Sequence, residues 1–67
     1  MINTDELRAE MARKRISGRK LAPKLNMTDT TFYAKMKKGI FGSDEIEGMI
    51  TELGMNREKA IEIFFAD

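Results

Sequence analysis

The chain has 67 residues, 12 Lys and Arg against 11 Asp and Glu, and neither His nor Cys. That length holds one domain with a small core. Without Cys there is no disulfide framework or thiolate metal site, and without His the commonest general base, metal ligand and pH switch are all missing. No apolar run approaches the roughly 18 residues of a membrane span. The start, Met1 to Glu6, has no basic segment leading into an apolar one, so the expectation is a cytoplasmic protein with no membrane partner.

The net charge of +1 conceals an asymmetry. Residues 1–39 carry ten Lys and Arg against four acids, whereas residues 40–67 carry two against seven. A basic half implies a polyanionic partner, and an acidic half keeps the rest of the surface away from it.

In chain order, the pattern predicts five short helices. Thr4 stands as the N-cap of the first, with Asp5 and Glu6 in the turn where the helix dipole favours acids. Leu7, Met11 and Ala12 form its buried stripe, and Arg13-Lys14-Arg15 suits its C-terminal end. Ile16 lies inward in the turn that follows. Ser17 caps the second helix, whose inner face is Leu21, Ala22 and Leu25; Pro23 inside it removes one hydrogen bond. Asn26 suits a left-handed turn position. Thr28 caps the third helix, with Phe32 and Met36 inward, and Gly39 ends it.

Ile40-Phe41-Gly42 reads as a loop, and Ser43 as the cap of the fourth helix. Its Ile46, Met49, Ile50 and Leu53 follow i, i+3, i+4, i+7 up to Gly54. Asn56 caps the last helix, from Arg57 to about Phe65. Ala60, Ile61, Ile63, Phe64 and Phe65 are too many for one narrow stripe. One face of that set closes the core, and the remainder is available to a two-fold interface, which makes Ile61, Ile63, Phe64 and Phe65 the candidate dimer contacts. No segment alternates as a strand does, so the expected fold is a compact all-α bundle in a single domain, residues 1–67.

Function concentrates in residues 17–39. Two short helices joined by a three- to four-residue turn have helix-turn-helix geometry. Ala22 is small enough for close packing, and Leu21, Leu25, Met27 and Phe32 set the interhelix angle. The third helix then turns Asp29, Thr30, Tyr33, Ala34 and Lys37 outward, and Thr, Tyr and Lys reach base edges or phosphates.

Through Leu21-Ala22, the Leu25-Asn26-Met27-Thr28 turn and Phe32, the segment resembles the helix-turn-helix of the lambda-repressor-like family, which includes Cro-type and small phage regulators. The resemblance spans about the whole chain, since that family's core is also five short helices. It implies a sequence-specific transcriptional regulator that binds double-stranded DNA with the third helix in the major groove. Base contacts would come from Asp29, Thr30 and Tyr33, with Ala34 on the same face. Phosphate contact is expected at the start of the second helix, and since Gly18 has no side chain, Arg19 or Lys20 must supply it. Thr28, Lys35, Lys37 and Lys38 complete the expected DNA-binding set. Three positions depart from the family pattern: Asn26 replaces the usual turn Gly, Pro23 interrupts the second helix, and Asp29 is acidic where DNA approaches. Asp29 has three open readings: helix cap, acceptor for a cytosine amino group, or a charge that weakens binding.

A homodimer on a pseudo-palindromic operator is the expected assembly. The competing reading is a protein-interaction module on the same fold, a corepressor or antirepressor that binds another regulator. No enzymatic motif, cofactor, metal or small-molecule ligand is expected: Gly39 and Gly42 do not fit a phosphate-binding loop.

Overall fold

Residues 2–65, which the computed structural model describes, form five helices and no strand. These are α1 (Thr4–Lys14), α2 (Gly18–Lys24), α3 (Asp29–Lys38), α4 (Ser43–Glu52) and α5 (Arg57–Phe64). Each start is set by local chemistry. The side chains of Ser17, Thr28 and Asn56 accept from the amides of Lys20, Thr31 and Lys59, at 3.2, 3.2 and 2.8 Å. Two starts correct the sequence reading by one residue. Asn3, not Thr4, caps α1 by accepting from the Glu6 amide at 3.1 Å. Gly42, not Ser43, precedes α4, because Glu45 Oε1 reaches back to accept from the Gly42 amide at 2.8 Å.

The helix ends repeat one backbone device. At Arg15, Asn26, Gly39 and Gly54 the chain turns left-handed, with φ of 57°, 58°, 72° and 60°. Each time, the next amide (Ile16, Met27, Ile40, Met55) donates to a carbonyl five residues back (Met11, Ala22, Lys35, Ile50), at 3.0–3.2 Å. This is the Schellman closure, which satisfies carbonyls that the helix cannot. Ile16, Met27 and Met55 lean on the core from these turns. Pro23 stands exposed in the last turn of α2, one residue from its end, so the interruption costs little continuity.

The core comprises Leu7, Met11, Leu21, Ala22, Phe32, Met36, Phe41, Met49, Leu53, Ala60, Ile63 and Phe64, all buried. Burying a side chain such as Leu7 or Ile63 contributes about 1.5–3 kcal/mol before entropy is counted. Ala12 is exposed rather than part of this stripe, and Glu10 is buried instead. At 100° per residue Glu10 lies closer to Leu7 around the helix than Ala12 does. Its carboxylate is held by Arg13 at 3.0 Å and Lys14 at 3.9 Å. No buried side-chain polar atom among the described residues lacks a partner.

α2 packs most extensively on α3 and also meets α4. A Cβ on Gly48 would stand 2.6 Å from Leu25 Cδ2, so glycine allows α4 that approach. α5 returns to α1, where the Asn3 amide donates to the Ile63 carbonyl at 2.7 Å. Lys59 bridges Glu6 at 3.1 Å and Glu62 at 3.2 Å, and Glu6 also binds Arg13 at 2.6 Å.

Candidate functional site

The segment singled out in the sequence folds as α2, the connection Leu25–Thr28 and α3. Leu21, Ala22 and Phe32 are fully buried between the two helices, and Leu25 and Met27 pack against that core. Asn26 takes the left-handed conformation that reverses the chain. Gly18, in the first turn of α2, lies beneath Tyr33 of α3. A Cβ there would come within 2.6 Å of the Tyr33 Cζ and hydroxyl oxygen, and within 2.9 Å of Phe32 Cδ2. Tyr33 is thus braced by the backbone of α2 and by an edge-to-face contact with Phe32, ring centroids 5.5 Å apart, while half of its surface stays in solvent.

On α3 the 100° step puts Thr30, Tyr33, Ala34 and Lys37 on one face, opposite Phe32 and Met36. All four are exposed. Thr28 is used locally: its hydroxyl meets the Thr31 hydroxyl at 3.0 Å and accepts from the Thr31 amide. Asp29 Oδ1 accepts from the Thr30 amide at 3.0 Å, and its Oδ2 faces Arg19 Nε at 3.9 Å. The carboxylate therefore bridges the starts of α2 and α3 and partly neutralises Arg19.

Lys35 separates from the other lysines of α3. It donates to Glu45 at 2.6 Å, tying α3 to α4. That lysine, together with the Gly42 amide, holds the Glu45 carboxyl below its ordinary range. Lys35 is half-buried and paired with Glu45 within the fold, so the phosphate contact expected of it would require exchanging that carboxylate.

The cations of the molecule divide by partner. Arg8, Arg13, Lys14, Arg19, Lys35 and Lys59 each have a carboxylate within 4 Å. Among the described residues Arg15, Lys20, Lys24, Lys37, Lys38 and Arg57 have none, and all six are exposed. Five of these six fall within residues 15–38. Lys24 lies outside the set expected from the sequence, although its i, i+4 spacing from Lys20 puts both on one edge of α2. Asp44, Glu47, Glu52 and Glu58 are likewise without basic partners among the described residues, all on α4 and α5.

Compared with protein-family models, with curated proteins and with solved structures, the chain matches none. No group of three or more Asp or Glu among the described residues is placed to hold a metal ion.

The four apolar residues of α5 divide. Ile63 and Phe64 are buried within the protomer, which removes them from the expected interface, because α5 turns that face onto α1. Ile61 is 47% exposed and Phe65 62%. Ile40, at 67%, is a further exposed apolar side chain, and its place in a loop gives no periodicity from which to foresee that.

Proposed function

We propose that this chain is a sequence-specific regulator that binds double-stranded DNA. In this reading α2 and α3 act as a helix-turn-helix of the lambda-repressor-like kind, with α3 entering the major groove. Charge placement carries the proposal: of the six cations that have no carboxylate partner among the described residues, four (Lys20, Lys24, Lys37 and Lys38) lie on α2 and α3, and α3 also carries the exposed Thr30, Tyr33 and Ala34. Lys20, Lys24, Lys37 and Lys38 supply the phosphate-neutralising term, and Arg19 joins them by exchanging Asp29 for a phosphate. Thr30 and Tyr33 supply side chains able to reach base edges, and the Tyr33 ring packs against Gly18 of α2.

A ten-residue helix is about 15 Å long and about 10–12 Å wide, which suits a groove about 12 Å across. Ile61 and Phe65 are the apolar pair offered to a second copy, and two copies would read two half-sites about 34 Å apart.

Selection from random duplex DNA at about 0.1 M salt tests this reading. An enriched pseudo-palindrome is expected. The double variant Thr30→Ala, Tyr33→Ala is expected to lose at least tenfold in affinity for it, since a good base contact contributes about 1–3 kcal/mol. If the folded protein enriches nothing, the DNA reading falls. The unpartnered acids Asp44, Glu47 and Glu52 of α4 would then point to a protein-interaction module that engages another regulator.

A further inference from the structure

Four helices of this chain end in the same left-handed Schellman turn, and the residue at the turn is Asn26, Gly39, Gly54 and, after α1, Arg15. Asn and Gly are the residues that tolerate positive φ, whereas an arginine there costs stability. A cation near a helix C-terminus recovers part of that cost through the dipole. Arg13 and Lys14 already supply that charge in the last turn of α1.

The run Arg13-Lys14-Arg15 is also divided by its partners. Arg13 binds Glu6 and Glu10, and Lys14 binds Glu10, whereas Arg15 is exposed and has no carboxylate among the described residues. Only Ile16 separates it from Ser17, the cap of α2. Three peptide links, at most about 11 Å of chain, separate it from Gly18, on which Tyr33 rests.

We infer that Arg15 is a phosphate-contacting residue of the DNA interface, held off the recognition helix by the left-handed turn at the end of α1. This rests on the DNA-binding reading above and extends it. Such a phosphate contact carries no sequence information. A guanidinium forks onto phosphate oxygens in a bidentate way that an ammonium cannot match.

Two variants test the assignment on the full chain with the selected duplex. Arg15→Gly relaxes the turn and removes the charge, and Arg15→Lys keeps both the turn and the charge. The melting temperature of Arg15→Gly is expected to equal or exceed that of the parent. Its affinity is expected to fall by roughly eightfold at 0.1 M salt, and its slope of log K against log salt to shrink by about 0.9, as it does when one phosphate fewer is neutralised. The selected sequence should stay the same. Arg15→Lys should keep the parent slope. An Arg15→Gly protein that binds with the parent's affinity and slope overturns the assignment while leaving the DNA reading intact. A parent protein that binds no duplex removes the reading on which the assignment rests.

Discussion

The Cα of Gly18 and the ring of Tyr33 are in direct apposition: a methyl group on the glycine would lie 2.6 Å from the tyrosine hydroxyl oxygen. Gly18 is thereby the seat of an exposed side chain on another helix. Its value to the protein is the space that it leaves.

Gly18→Ala is therefore expected to destabilise the fold by about 1–3 kcal/mol, the range for an overpacked site. The Tyr33 ring can swing into solvent, but Phe32, with its Cδ2 2.9 Å from the added methyl, is fully buried and cannot. Urea unfolding of Gly18→Ala, Tyr33→Ala and the double variant checks this. The double variant should recover only part of the loss, because the Phe32 clash persists. Full recovery would show that Tyr33 alone sets the spacing.

Gly48→Ala should behave differently, although its methyl would meet Leu25 Cδ2 at the same 2.6 Å. The neighbour is the end of a flexible, half-buried side chain, and alanine within α4 gains up to about 1 kcal/mol of helix propensity. Its net cost is expected to be below that of Gly18→Ala in the same unfolding assay. A larger cost would mean that the α2–α4 contact is the tighter of the two.

Lys35 and Lys37 lie two residues apart on α3 and, on the proposed DNA-binding reading, should separate stability from binding. Lys35→Ala removes the pair with Glu45 and is expected to cost up to about 1 kcal/mol of stability with little change in DNA affinity. Lys37→Ala should leave stability within about 0.5 kcal/mol and weaken DNA binding. Equal effects of the two on DNA affinity would contradict the partition of these lysines.

Stability should fall in acid, and Glu6 and Glu45 should contribute to the fall. Arg13 and Lys59 hold the Glu6 carboxyl below its ordinary range, as Lys35 and the Gly42 amide do for Glu45. Because the unfolded chain binds these protons first, the contribution is complete above the ordinary glutamate value of about 4.3 and is lost as pH falls through the lowered values. Urea midpoints measured from about pH 6 down to about pH 3 should decline, with a shallower decline in Glu45→Gln, which keeps an acceptor for Gly42. An identical slope in the variant would remove Glu45 as a contributor.

The sequence disclosed much of the fold because its helix punctuation is strong. Ser17, Thr28 and Asn56 cap helices, and Asn26 and Gly39 adopt the left-handed turns, as their chemistry dictates. Where two cap-forming neighbours compete, local pattern cannot choose between them, as with Asn3 and Thr4. Tertiary partners were beyond reach as well: nothing near Lys35 in the chain announces Glu45, and the burial of Ile63 and Phe64 depends on α5 meeting α1. Gly18 reads in the sequence as an absent phosphate contact, and only the packed structure shows it as the seat of Tyr33. The exposure of Thr30, Tyr33, Ala34 and Lys37 agrees with the helical period, which needs no tertiary information.

The hydrogen bond from Asn3 to Ile63 joins residues sixty positions apart, while α2 and α3 are neighbours in the chain. Closing so long a loop is entropically costlier than docking adjacent helices, so the α2–α3 hairpin is expected to assemble early and the α1–α5 seam late. In native-state hydrogen exchange, the Asn3 amide should then open at a lower free energy than amides within α2 and α3. The seam that holds the exposed Ile61 and Phe65 in place would be the first part of the molecule to come undone, while the unit carrying Tyr33 stays folded.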